Sequence, residues 1–571
     1  MADADKKHPL IALLVDNGLL SDAQLEDILE EQKRTGRSLR DIVIHGGIVN
    51  EDDLLVMIAN QIGTIVVDLG QMEIPPEVVK SIPATVARMY DVIPVEISPS
   101  SITLASAQFL TTETIDEIRF VLTRDVTIVL AREESVKMMI ARSFGDEGDS
   151  VGHMLSELES EIEHAGVFTM VEKGREQAAD ELLEMANATP VIRFVHLVLY
   201  QAVQEGASDI HFEPFEKEFK IRYRVDGALY ELQPPPHSLA LPVISRLKVM
   251  SNLNIAERRF PQDGRVQMMY AGRPVDFRVS TLPTQFGESV VLRILDKNVV
   301  SLEIENLGMS QDILDKFNLE ILKPNGIIVV TGPTGSGKTT TLYSALKRIN
   351  KLESKLLTVE DPVEYDIEGL VQVQVNEGIG VTFQSVLRAF LRQDPDIIML
   401  GEIRDKESAT LAIQASLTGH LVFSTLHTND AAGAITRLID MGIEPFLVSS
   451  TLESILAQRL VRKLCAACRQ PYDPDDELLE KINLTRERLG GKPFYSNKGC
   501  SICHQIGYKG RKGIYEFLPI TDDIRRMINE RRPTMEIHGK AVENGMRVLR
   551  EDGIVAVMEG LTTAEEILRY T

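Results

Sequence analysis

The segment that most constrains this chain is Gly332-Pro333-Thr334-Gly335-Ser336-Gly337-Lys338-Thr339. It follows the apolar, strand-like run Ile327–Thr331 (IIVVT) and opens the helical run Thr339–Ile349 (TTTLYSALKRI). A strand-to-helix turn is the setting that separates a phosphate loop from a chance glycine-rich turn. Gly335 and Gly337 let backbone N–H groups close around phosphate oxygens, and the following helix presents the positive end of its dipole. Lys338 is expected to reach the β- and γ-phosphates of ATP, and Thr339 to hold Mg²⁺ through its hydroxyl.

Hydrolysis also needs acids for the metal and the attacking water. Glu360-Asp361-Pro362-Val363-Glu364 follows the apolar run LLTV, and Glu402 follows the strand-like run Asp396–Gly401 (DIIMLG). One acid at a strand end means little; two, each closing a predicted strand after a phosphate loop, are far more specific. A further strand, Leu421–Thr428 (LVFSTLHT), delivers His427. That residue is either a γ-phosphate sensor and transition-state hydrogen-bond donor or a structural histidine.

The four cysteines form two CxxC pairs, Cys465 with Cys468 and Cys500 with Cys503, with residues 469–499 between them. Clustered cysteines in so long a chain are not a disulfide scaffold. Two chelating pairs complete a tetrahedral thiolate site, so structural Zn²⁺ is the favoured occupant and a redox pair the alternative. Four protein ligands leave no open position for catalysis.

A chain of 571 residues exceeds what one core organises, and three or four folded units are expected. Residues 1–64 contain a repeat at an offset of 29, Gly18-Leu19-Leu20 matching Gly47-Ile48-Val49. Leu25, Leu29 and Gln32 then match Leu54, Ile58 and Gln61. Each copy predicts a short apolar helix, a glycine stop and an amphipathic helix capped by Ser21-Asp22 or Asn50-Glu51. From 65 to 143, the strand-like runs TIVVDL, YDVIPVEI, SITLASA and VTIVLA predict a small α/β unit, and 144–188 an acidic, partly helical linker.

After Thr189 an apolar helix leads into the strands DIHFEP, EFKIRYRV and ALYELQ. In the second of these Phe219, Ile221, Tyr223 and Val225 share one face, with Lys220, Arg222 and Arg224 on the other. A further hairpin joins PVDFRVS to SVVLRIL. If Arg278 and Arg293 are its cross-strand neighbours they repel unless an anion lies between them; the alternative is two independent solvent arginines.

The net charge of −24 argues against a nucleic-acid partner. No apolar run is long enough to span a bilayer, and MADADKKHPL does not lead into a secretory signal. A cytoplasmic chain that meets a membrane only through partners is expected.

Together GPTGSGKTT, EDPVEY, RQDPDIIMLGEIRD, GHLVFSTLHTNDA and the paired CxxC resemble the secretion ATPase superfamily, in particular type IV pilus assembly and type II secretion ATPases. The similarity runs from about residue 65 to the C-terminus, with the family's Walker A, Asp box, Walker B and His box all in order. The resemblance implies an α/β RecA-like ATPase domain at 301–571, with a zinc module at 460–510, behind a PAS-like middle domain at 189–300. It also implies a homohexameric ring at the cytoplasmic face of an inner membrane, acting on a platform protein, with ATP and Mg²⁺ bound between the middle and ATPase domains. Gly332 to Thr340 and Asp361 would line the nucleotide, Glu402 would be the Walker B acid on Mg²⁺ or water, and Glu364 its Asp-box partner. Either Glu402 or Glu364 can be the general base. Arg278 and Arg293 match phosphate-contacting arginines, and Arg392 and Arg404 match arginines near subunit contacts.

The N-terminal repeat resembles a tandem cyclic-di-GMP-binding module. Its RLG opening corresponds here to Pro9-Leu10-Ile11 and Ser38-Leu39-Arg40, both without the Arg and Gly at the matching places. A docking surface for the platform or an actin-like pilus partner is the competing expectation. The implied activity is an ATP-driven pilus-extension motor. A type II secretion motor shares every ATPase motif, whereas retraction motors resemble a shorter chain without the N-terminal module and cysteines. A nucleotide-controlled scaffold is disfavoured by Glu364, Glu402 and His427, and a nucleic-acid motor by the charge.

Overall fold

The computed structural model describes residues 179–270, 273–295 and 302–571 without a break, together with 48–70, most of 74–144 and isolated positions before 48. The first copy's Gly18, Leu25, Leu29 and Gln32, both RLG-equivalent triplets, Gly47 and the linker before residue 179 lie outside the described residues. The chain divides into two units, residues 1–298 and 299–571.

In the first unit the second repeat copy forms the helix Glu51–Ile62, and Asn50 caps it by accepting the Asp53 N–H at 2.8 Å. Gly63 ends it in the left-handed conformation that costs glycine least. Leu54 and Ile58 are buried, as their spacing requires. The α/β subunit after it contains β1 (Val92–Ile97), β2 (Ser101–Ser106) and β3 (Asp125–Leu130), with β2 antiparallel to β1 and parallel to β3. Of the predicted strand TIVVDL only an isolated bridge forms, Val66 to Leu130. Ile65 and Val66 stay 64% and 38% exposed, while Val67 and Leu69 pack on the core of this unit.

The middle of the chain is a six-stranded antiparallel sheet of β4 (Asp209–Pro214), β5 (Phe219–Val225), β6 (Ala228–Glu231), β7 (Gln262–Tyr270), β8 (Arg273–Thr284) and β9 (Gly287–Leu295), in the order β6-β5-β4-β9-β8-β7. Its buried face packs on the helices Thr189–Gln204 and Ala240–Met250. On β5, Phe219, Ile221 and Tyr223 are buried while Lys220, Arg222 and Arg224 face outward, so period-two alternation held. Asp226 and Gly227, both at positive φ, make the tight turn to β6. The helix Ala179–Ala186, at the end of the acidic stretch, packs along Ala240–Met250.

The second unit is built on a seven-stranded sheet of β10 (Gly326–Thr331), β11 (Leu356–Glu360), β12 (Leu370–Gln374), β13 (Ile397–Leu400), β14 (Leu421–Leu426), β15 (Leu452–Leu464) and β18 (Tyr508–Pro519). Its order is β12-β11-β13-β14-β10-β15-β18, parallel except for β18. Helices cover both faces. Ile327 and Val329 enter one core with Leu357, Ile398 and Val422, and Ile328 and Val330 enter the other with Phe423 and Leu346. A strand buried on both faces has no reason to alternate, which is why IIVVT is continuously apolar. The short strands β16 (Arg469–Tyr472) and β17 (Phe494–Asn497) form a separate ribbon inserted between β15 and β18. Among the described residues no helix is long and apolar enough to cross a membrane.

Candidate active site

β10 delivers the phosphate loop and the helix Lys338–Ile349 receives it. Gly332, Gly335 and Gly337 adopt φ of 153°, 77° and 90°, and a Cβ on Gly332 would stand 2.5 Å from the Gln458 carbonyl oxygen. The loop is therefore closed to larger residues at that point. Lys338 is buried, and its Nζ donates to the carbonyls of Gly332 at 2.8 Å and Pro333 at 3.1 Å. Pro333, Thr334, Gly335 and Thr339 face outward, Ser336 is buried, and the Thr340 carbonyl accepts the Ser344 hydroxyl. This places an exposed hydroxyl, Thr339, at the start of the helix, where a metal ion bound to phosphate would meet it.

The acids arrive from the neighbouring strand ends. Glu402 lies just beyond β13, with one carboxylate oxygen accepting from Arg404 and the other 3.1 Å from His427 Nε2. Arg404 also lies 3.6 Å from Asp361 and over the Phe383 ring. The structure thus brings Glu402, Asp361, Arg404 and His427 into one cluster, and the Glu402 charge acts on Lys338. The strand ends are pinned by side chains: Thr425 donates to the Gly401 carbonyl, and Thr331 and Thr428 share a 2.8 Å hydroxyl contact. Glu364 sits on a different part of its loop, where its N–H donates to Tyr343 Oη. Arg392 is exposed and donates to the Arg388 carbonyl.

Sequence reasoning did not single out Glu360, Tyr343, Gln372, Gln458 or Arg459. Glu360, only 3% exposed, accepts from Tyr343, Thr358 and Gln372. Burial raises its pKa, against those three donors. It anchors the start of the acidic loop, in which Asp361 is exposed and Glu364 half-buried. The signal was available in position alone: Glu360 is the last residue of a strand buried throughout.

In the first unit β8 and β9 pair with Arg278 opposite Arg293, and Arg265 of β7 lies opposite Arg278. An acid answers the repulsion this register creates. Asp209 on β4 is opposite Arg293 and accepts its Nε at 2.9 Å, with Arg224 at 3.7 Å on the other side.

The cysteines converge at the base of the inserted ribbon. Their sulfurs all lie within 4.8 Å of one another, with Cys465–Cys500, Cys468–Cys503 and Cys500–Cys503 at 3.9, 3.8 and 3.7 Å. The Cys503 sulfur accepts the N–H groups of Cys500 and Gly507 at 3.2 Å. Burial works against its thiolate, but these amides lower its pKa overall. Four cysteines without a disulfide, at this spacing, can hold a metal ion.

Residues 184–569 match the model of the family described as "Type II/IV secretion system protein". The chain belongs to this family. An MshEN domain model matches residues 62–150, the α/β subunit rather than the repeat before it. The chain is 41% identical to the type IV pilus assembly ATPase PilB of Myxococcus xanthus, over 98% of both chains. It is also 41% identical to type II secretion system protein E of Xanthomonas campestris pv. campestris over 98% of both, and 50% identical to the type II secretion ATPase E of Vibrio cholerae over 69% of this chain and 77% of that one. The ATPase DotB of Legionella pneumophila shares the fold, with a TM-score of 0.50 at 20% identity, covering 66% of this chain and 94% of that one.

As a member of the secretion ATPases, the chain has a RecA-like core and hydrolyses ATP. For such an enzyme the environment of Lys338 has a pH consequence. Burial lowers its pKa to about 8, with Glu402 opposing and Arg459 adding to the effect. Below that value the amine is a cation ready for phosphate; as pH rises through it, the free protein loses the charge. ATP affinity is expected to weaken as pH rises above about 8, measured with a fluorescent ATP analogue from about pH 7 to about pH 9.5. An affinity constant across that range would contradict it.

Proposed function

We propose that this ATPase is the homohexameric motor of type IV pilus assembly, acting on an inner-membrane platform protein from the cytoplasmic face. The observation that carries the reading is the similarity to the Myxococcus xanthus pilus assembly ATPase along 98% of both chains, N-terminal region included. Equal coverage by the Xanthomonas protein makes the type II secretion motor the second reading. Deletion in the source cell tests both: loss of surface pili supports the first, and blocked protein export with normal pili supports the second.

Glu402 is the Walker B acid on Mg²⁺ or the attacking water, Asp361 and Glu364 serve the same loop, and His427 senses the γ-phosphate through Glu402. Lys338 and the loop amides bind the β- and γ-phosphates, Thr339 holds Mg²⁺, and Arg392 and Arg404 serve subunit contacts. Arg278 and Arg293 contact phosphate during turnover. We take the middle domain as PAS-like, since β5-β4-β9-β8-β7 runs as one antiparallel sheet with helices on one face. Arg278→Ala and Arg293→Ala are each expected to slow phosphate release roughly 10²-fold or more, with both variants still unfolding cooperatively. Unchanged turnover in both would contradict the role.

The cysteine cluster suits zinc. A tetrahedral Zn²⁺ with Zn–S bonds of about 2.3 Å separates its sulfurs by about 3.8 Å; three of the six pairs stand 3.7 to 3.9 Å apart, and all four sulfurs lie within 4.8 Å of one another. Such an ion would brace the base of the β16–β17 ribbon and supply no catalytic position. One zinc per chain is expected by elemental analysis. Cys468→Ser with Cys503→Ser should lose it and lower the unfolding temperature by roughly 10 °C; full stability without metal would contradict a structural ion.

For the N-terminal region we propose a docking surface for the platform or an actin-like partner, with cyclic-di-GMP as the alternative occupant. Calorimetric titration of the full chain with cyclic-di-GMP separates the two.

A further inference from the structure

The last ladder pair between β10 and β15 is Thr331 with Ala457. The next two residues of β15, Gln458 and Arg459, therefore emerge where the phosphate loop leaves β10. Both are buried, at 1% and 7% exposure, and neighbouring strand residues point to opposite sides.

Gln458 turns toward the phosphate loop. Its Nε2 donates to the Ser336 carbonyl at 2.7 Å, and its Oε1 accepts the Thr341 hydroxyl at 2.8 Å. Its own carbonyl and amide are the atoms that the missing side chains of Gly332 and Gly337 make room for. One residue thus touches the beginning, middle and end of the loop. Arg459 turns to the loop after β14. Its terminal nitrogens donate to the carbonyls of Asn429 at 2.8 Å and Gln458 at 3.1 Å. Asn429 lies two residues past His427, so the same guanidinium ties the histidine's loop to the strand that holds the phosphate loop. A buried amide and a buried guanidinium are costly where an apolar residue would fill the space.

We infer that Gln458 and Arg459 are positioning residues that keep the two loops of the ATPase site in register. Gln458 acts through the phosphate loop on nucleotide affinity. Arg459 acts through the 427–430 loop on the chemical step. Neither touches the reacting atoms.

The test separates binding from turnover in the full-length protein, with a fluorescent ATP analogue for Kd, phosphate release for kcat and thermal unfolding for stability. Gln458→Met is expected to raise Kd about tenfold while kcat at saturating ATP changes less than about threefold. Arg459→Met is expected to lower kcat about tenfold with Kd changed less than about threefold. Thr341→Val should raise Kd and add nothing in the Gln458→Met background, because it acts through the same amide. Loss of stability with Kd and kcat both intact would overturn the inference, as would a Kd effect for Thr341→Val that adds fully to that of Gln458→Met. Should the methionine variants not fold, Thr341→Val and Arg459→Lys still decide: an unchanged Kd in the first or an unchanged kcat in the second overturns it.

Discussion

Lys338→Ala is expected to lower kcat/KM for ATP at least about 10³-fold. A cation about 4 Å from a phosphate charge, at an effective dielectric near 20, contributes about 4 kcal/mol, and each 1.36 kcal/mol is tenfold in rate. The structure supports a direct effect rather than unfolding. The Lys338 ammonium donates to the Gly332 and Pro333 carbonyls, while its helix is held by Leu342, Tyr343 and Leu346 in the core. Burial already lowers the Lys338 pKa, so the uncharged side chain removes a desolvation cost and the fold should be unharmed. Phosphate release and thermal unfolding check both halves. Turnover within tenfold of the parent would contradict the assignment.

Glu402→Gln is expected to lower kcat by at least about 10²-fold while ATP still binds within about threefold of the parent affinity. The substitution keeps volume and one acceptor but removes the charge that, in the proposed role, serves Mg²⁺ or the attacking water. It also leaves Arg404 and His427 facing a neutral group, although Arg404 keeps Asp361 at 3.6 Å. The amide oxygen can still accept from Arg404, and the amide N–H can donate to His427 Nε2 when the ring carries its proton on Nδ1. Normal phosphate release by this variant would shift the general-base role to Glu364.

How far the site was legible depended on whether its chemistry is local in sequence. The phosphate loop, the continuously apolar β10 and the ends of β13 and β14 were readable because strand, turn and functional residue are contiguous there. The Arg278–Arg293 pairing was readable from hairpin register, yet the acid that answers it was not. Asp209 comes from β4, far away in sequence, and only the sheet order places it beside Arg293. Gln458 and Arg459 were invisible for the same reason: in LESILAQRLVRKL they look like the polar residues of any strand, and their burial follows from β15 lying next to β10. Within EDPVE the sequence offers three equivalent acids, and only packing against Tyr343 and Gln372 withdraws Glu360 from the loop. TIVVDL failed differently: Val67 and Leu69 find the core, yet the ladder to β3 stops at a single bridge at Val66.

The most direct test of the central claim is to install Glu402→Gln at the native locus of the source cell and count surface pili by electron microscopy, with protein export measured alongside. The account predicts cells that retain the full-length chain and export normally but carry no pili. Normal piliation with export blocked would contradict it and assign this ATPase to secretion.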